Sequence, residues 1–94
     1  MFDIRRSEDG LIFFSGRLDA SKADQAREYL SNIQESCTID FSEIDYISSA
    51  GLSVLLGTQK RLNESGASLK LVNLKKHISD IFVIAGFDFI FDLE

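Results

Sequence analysis

Two adjacent hydroxyls, Ser48 and Ser49, stand where the chain passes from a strand-like segment to a helix-like one, in Tyr46-Ile47-Ser48-Ser49-Ala50-Gly51-Leu52. A helix start presents backbone N–H groups without intrahelical partners and the positive end of the helix dipole, so negative charge is favoured there. A phosphate esterified to Ser48 or Ser49 would enter a site already disposed to hold it. Serine has a second use at this place, because it is among the best N-cap residues and contributes about 1 kcal/mol in that role. Ala50 and Gly51 would then serve to let the helix approach the sheet closely. Spacing alone leaves both uses open.

Other reactive groups are isolated. The single histidine, His77, follows Lys75-Lys76 at a helix start, with no second histidine, cysteine or carboxylate at ligand spacing. It is expected as a surface or helix-start polar group. No pattern of convergent ligands suggests a metal site, and no cofactor is expected. The glycine-rich loops that cradle nucleotide phosphates are missing. The carboxylates form no acid–base pair, and Asp88 and Asp92 are expected to face solvent. Cys37 is the only cysteine, so no internal disulfide can form, and an inert packing thiol in a buried strand is expected. These features argue against an enzyme or a nucleotide-binding module.

A chain of 94 residues with a hydrophobic fraction of 45% suits one domain spanning residues 1–94. The net charge is -5, and the basic residues are scattered over Arg5-Arg6, Lys60-Arg61, Lys70 and Lys75-Lys76. Nucleic acid is therefore not an expected partner, because phosphate neutralisation needs a concentrated basic face. No stretch approaches the ~20 apolar residues that span a bilayer. The first residues lack the apolar core of a signal peptide, so a cytoplasmic location without membrane insertion is expected. A monomer is the default, with Phe87-Asp88-Phe89-Ile90-Phe91 as an apolar segment that could support pairing.

Short polar turns divide the chain. Phe2, Ile4 and Arg6 alternate with Asp3 and Arg5, and Ser7-Glu8-Asp9-Gly10 separates them from the apolar run 11–16, which predicts a hairpin. Asp19-Ala20-Ser21 supplies helix-start chemistry, and Ala23, Ala26, Tyr29, Leu30 and Ile33 follow at helical spacing. Residues 37–41 read as a central strand followed by a short loop. A second helix then starts at Ser48 or Ser49, carries Leu52, Val54, Leu55, Leu56, Gln59 and Leu62, and stops near Gly66. Residues 68–73 predict a strand, residues 75–85 a third helix closed by Gly86, and residues 89–93 a final strand or extended segment. The fold class is α/β: a mixed β-sheet with an N-terminal hairpin and crossover helices, in the order β-β-α-β-α-β-α-β.

With those elements in place, the segment around the serines resembles the signature of STAS domains, including bacterial anti-sigma factor antagonists. The family reads hydrophobic-Asp-hydrophobic-Ser and, a few residues on, aromatic-hydrophobic-Asp-Ser-Ser/Thr-Gly-Leu. Ile39-Asp40-Phe41-Ser42 and Tyr46-Ile47-Ser48-Ser49-Ala50-Gly51-Leu52 are similar to it. Gly16-Arg17-Leu18-Asp19 resembles the family's Gly-x-Leu-Asp, and Ile81-Phe82 through Gly86-Phe87 to Ile90-Phe91 resembles its ending. The resemblance implies a single STAS domain, not an enzyme, that binds an anti-sigma factor acting as a serine kinase and is reset by a serine phosphatase. It implies phosphorylation at Ser49, with Ser48 as second choice, and partner binding through Asp19, Ser48, Ser49, Gly51 and Leu52. Asp19 could equally cap the first helix. Two positions depart from the pattern: Ser48 replaces the usual aspartate, and Ala50 a Ser or Thr. The alternative is a stand-alone STAS subunit of a membrane transporter complex, such as a lipid-transport ATPase, with the serine as a cap.

Overall fold

A computed structural model describes residues 1–94. β1 (Phe2–Arg6) and β2 (Ile12–Leu18) form the antiparallel hairpin, with Phe2 opposite Gly16 and Arg6 opposite Ile12. Ser7 closes the turn, its N–H donating to the Leu11 carbonyl at 2.9 Å. The chain then continues as α1 (Ala23–Leu30), β3 (Cys37–Ile47), α2 (Ser49–Glu64), β4 (Leu69–Val72) and α3 (Lys76–Ile84). A 3-10 turn over Phe87–Phe89 leads into β5 (Asp92–Leu93).

The sheet order is β1-β2-β3-β4-β5, and every pair after the hairpin is parallel. Each parallel step moves one strand in the same direction, so right-handed crossovers put all three helices on one face. The apolar strand positions look toward that face: Ile12, Phe14 and Leu18 of β2, Ile39, Phe41, Ile44 and Ile47 of β3, and Leu69 and Leu71 of β4 are buried. Ala23, Ala26 and Leu30 of α1, Leu55 and Leu62 of α2, and Ile78 and Phe82 of α3 cover them. A run of aromatic contacts joins the two ends of the chain, from Phe2 to Phe14 (centroids 5.2 Å), Phe41 (5.8 Å), Phe82 (6.3 Å) and Phe91 (5.7 Å). Most are edge-to-face, the favoured arrangement of ring quadrupoles.

Two polar side chains tie the helices to the rest. Buried Gln59 accepts from the Leu69 N–H (2.7 Å) and donates to the carbonyls of Leu69 (3.1 Å) and Ile90 (3.0 Å). Arg61 donates to the carbonyls of Leu30 and Ile33, both at 2.8 Å, satisfying the C-terminal end of α1. At Gly16, φ is +88° and an added Cβ would stand 1.7 Å from the Met1 carbonyl oxygen. No side chain fits there. No helix is long and apolar enough to cross a membrane.

Two expectations are corrected. Residues 42–46, read as a loop, belong to β3. Register shifts against β2 at Phe13/Ser15 and Gly16/Arg17 break the alternation, so burial falls on Phe41, Ile44 and Ile47 at a spacing unlike a regular strand. The tail, read as extended from residue 89, is a 3-10 turn followed by a two-residue strand. Phe91 is its buried anchor, while Phe89 is 91% exposed.

Candidate functional site

β2 and β3 run side by side to the same end of the sheet, where Arg17 pairs with Tyr46 and Leu18 with Ile47. The Ser48 N–H donates to the Leu18 carbonyl at 2.9 Å, so the strand register extends one residue past the end of β3. Ser48 keeps an extended backbone (φ -90°, ψ 169°) and is the N-cap of α2. Its hydroxyl accepts the Gly51 N–H at 3.1 Å. Ser49 is the first residue of the helix, and its exposed side chain takes no hydrogen bond within the fold. The two serines thus differ: Ser48 is the cap, and Ser49 carries a free hydroxyl.

Gly51 explains how the helix comes so close. A Cβ there would lie 2.8 Å from Leu18 Cγ, 3.0 Å from the Leu18 carbonyl oxygen and 3.1 Å from Ile47 Cγ1. Gly51 and Leu52, expected from the resemblance to form part of the contact surface, are both buried, Leu52 at 9% exposure. Their physical reason is internal packing of α2 onto the ends of β2 and β3.

Asp19 follows β2 directly and accepts from the Ser21 hydroxyl (2.7 Å) and the Ser21 N–H (3.0 Å). It therefore organises the turn before α1. The N-cap of that helix is Lys22, with no side-chain capping bond, so the alternative of Asp19 as the cap itself is not realised. The Ser21 hydroxyl holds the Asp19 carboxyl below its ordinary pKa of 3.8, with help from the Arg17 charge, so it is ionised at neutral pH.

Around this junction lies a set of residues that periodicity did not single out. The Arg17 guanidinium stacks over the Tyr46 ring at 4.4 Å. Lys75 pairs with Asp45, whose pKa is lowered chiefly by that hydrogen bond. His77, exposed at the start of α3 as expected, places Nε2 2.7 Å from the Asp45 carbonyl. β4 ends at Val72 opposite Asp40, so the later part of β3 has no strand on that side, and these α3 groups stand beside it instead. Asp40 is buried but satisfied: it accepts from the Ser42 N–H and the Asn73 amide, both at 2.8 Å. Burial pushes its pKa up, yet the bonds from Ser42 and Asn73, with the Arg5 charge, outweigh burial and hold it below 3.8. The signal was available in the sequence, since an acidic residue inside an apolar strand needs local donors. Cys37, read as a buried packing thiol, is half-buried, and desolvation raises its pKa.

Known proteins match the chain along nearly its whole length. The family model of the STAS domain matches residues 3–94. The anti-sigma-B factor antagonist of Bacillus subtilis (strain 168) is 32% identical over 96 residues, covering 98% of this chain and 88% of that protein. Among solved structures, the anti-sigma factor antagonist SpoIIAA in its unphosphorylated form aligns with a TM-score of 0.74 at 17% identity, over 100% of this chain and 87% of that one. The Bacillus cell fate determinant SpoIIAA in its phosphorylated form gives a TM-score of 0.71 at 17% identity, over 100% and 91%. At that identity the structural likeness speaks to the fold.

Proposed function

The chain belongs to the STAS domain family, and from that membership we propose that it is a partner-switching regulator whose contact with an anti-sigma factor is gated by phosphorylation of Ser49. The observation that carries this reading is the division of labour between the serines. Ser48 is consumed as the N-cap, while the Ser49 hydroxyl is exposed and unbonded at the first position of α2. A kinase can reach it without dismantling the fold. The relative in Bacillus subtilis is named as an anti-sigma-B factor antagonist, and SpoIIAA is described in phosphorylated and unphosphorylated forms. Those names favour the regulator over the transporter-subunit alternative.

The switch follows from charge. A phosphoserine adds about -1.5 to -2 charges to a chain already at -5. It would stand beside the β2 end, where Asp19 is held ionised. Unmodified, the junction presents Ser49, Asp19 and the Arg17–Tyr46 pair to a partner, while Gly51 and Leu52 hold it in place from within. Phosphorylated, the same surface brings about -1.5 to -2 charges, more than the half-charge of the helix N-terminus offsets, to a contact that must be desolvated, and the complex dissociates. The modifying enzyme is an ATP-dependent serine kinase, in this reading the anti-sigma partner itself, and a serine phosphatase restores the binding form.

Incubation with the cognate kinase and ATP, followed by mass spectrometry of the peptides, tests the assignment. One phosphate on Ser49 is expected. A phosphate confined to Ser48, or none on either serine, contradicts it.

A further inference from the structure

We propose that residues 83–90 form a second docking face, suited to an amphipathic helix of a partner protein that carries lysine or arginine beside its apolar stripe. Ile84 is 86% exposed, Phe89 91%, Val83 52% and Ile90 40%. The chain reverses between them at Gly86, whose N–H donates to the Val83 carbonyl at 3.0 Å, so the end of α3 and the 3-10 turn lie against each other. Isolated exposed apolar residues are ordinary, but a cluster of this kind on a small protein marks an interaction surface.

The segment is held firmly although its side chains are bare. Phe87 and Phe91 pack on Phe82 with centroids at 6.4 and 5.7 Å. The Ile90 carbonyl accepts from the buried Gln59 amide at 3.0 Å. Phe89 is thus presented from a backbone fixed on both sides, and binding to it forfeits little conformational entropy. An aromatic anchor so arranged is the usual centre of a protein–protein contact.

Charge selects the occupant. Asp88 lies inside the segment, exposed and in no salt bridge, while Asp92 just beyond it and Glu94 face a single lysine, Lys70, across the β4–β5 pairing, so the rim is acidic on balance. The nearby lysines are already engaged, Lys70 with Glu94 and Lys76 with Asp80. A second copy of this chain would bring the same acidic rim against itself, and an anionic lipid surface would be repelled in the same way. A partner with a basic rim is complementary. α3 crosses back from the end of β4 to the start of β5, so this face lies at the opposite end of the strands from the Ser49 junction, and its occupancy is independent of the switch.

Fluorescence anisotropy on the full chain tests the proposal, with a fluorescein-labelled helical leucine–lysine peptide as probe and the matching leucine–glutamate peptide as counter-probe. The lysine peptide should bind, and the double variant Ile84→Ser/Phe89→Ser should weaken it about tenfold without lowering the melting temperature. Asp88→Asn/Asp92→Asn should weaken it several-fold and flatten its salt dependence, while Ser49→Asp leaves it unchanged. Equal binding of the two peptides, or equal binding of the lysine peptide to wild type and Ile84→Ser/Phe89→Ser, overturns the proposal. So does sedimentation showing a wild-type dimer that the double variant loses, or flotation with phosphatidylcholine or phosphatidylserine vesicles that the double variant loses.

Discussion

Replacing each of the two junction serines by alanine should separate structure from switching. Ser48→Ala removes the hydroxyl that accepts the Gly51 N–H at 3.1 Å and leaves that donor in the packed corner between α2 and Leu18. Loss of an N-cap costs about 1 kcal/mol, and a partly buried unpaired N–H raises this to about 1–2 kcal/mol. For a domain of this size each kcal/mol lowers the melting temperature by about 4–8 °C. Ser49→Ala removes an exposed, unbonded hydroxyl and substitutes the best helix former, so its stability change should stay within about 0.5 kcal/mol. Thermal melts by circular dichroism, with urea midpoints as a second measure, give both numbers. Ser48→Ala should melt several degrees lower and still be phosphorylated, whereas Ser49→Ala should melt like wild type and take no phosphate. Equal losses of stability, or a larger loss for Ser49→Ala, would refute the division between cap and free hydroxyl.

Other consequences follow from the same geometry. Ser49→Asp places a negative charge at the first position of α2, so it should leave stability unchanged or raise it by about 0.3–1 kcal/mol while weakening the anti-sigma partner; a melt combined with a pull-down reads both. Gly51→Ala forces a Cβ to within 2.8 Å of Leu18 Cγ and should cost about 1–3 kcal/mol, seen as a lower urea midpoint together with weaker partner binding. Asp40 has a folded pKa below its ordinary 3.8, so its stabilising contribution is complete above that value and is lost as pH falls through the folded one. Urea midpoints between neutral pH and pH 3 should therefore drop for wild type and drop less for Asp40→Asn, with Asp9, Asp19 and Asp45 contributing to the rest of the acid limb. Gln59→Leu leaves the Leu69 N–H and the Leu69 and Ile90 carbonyls without their partner and should cost at least about 2 kcal/mol, measured by the same titration.

Much of the fold was legible because its elements are short, amphipathic and separated by polar turns. The hairpin, the α1 stripe of Ala23, Ala26 and Leu30, and the glycine stop of α2 come directly from spacing. The middle of β3 was not legible, because register shifts against β2 turn its buried positions into an irregular series of Phe41, Ile44 and Ile47. The tail misled for the opposite reason. Phe89 and Ile90 look like strand core by composition, yet it is Phe91, with Leu93 beside the core, that turns inward, and Phe89 and Ile90 remain exposed.

At the junction, the position of the two hydroxyls was legible and their roles were not. Which serine caps depends on where β3 ends, and the Ser48 N–H bond to Leu18 settles that across 30 residues of sequence. The same long-range contact buries Gly51 and Leu52, which a linear motif presents as if all of its residues faced outward. Arg17 and Tyr46 meet only through strand pairing, and Lys75 and His77 reach Asp45 only because β4 stops short of the end of β3. Spacing within one element carries no information about such meetings. The family pattern pointed to the region, and the backbone geometry shows which of its serines caps the helix.

The central claim is that one phosphate on Ser49 decides whether the protein binds its partner. Isothermal titration of the cognate anti-sigma factor against unmodified protein, and against the same protein phosphorylated to completion on Ser49, measures it most directly. The account predicts tight binding in the first titration and binding weaker by about a hundredfold in the second, as expected when added negative charge is brought to a desolvated contact. Equal affinities in the two titrations would contradict it.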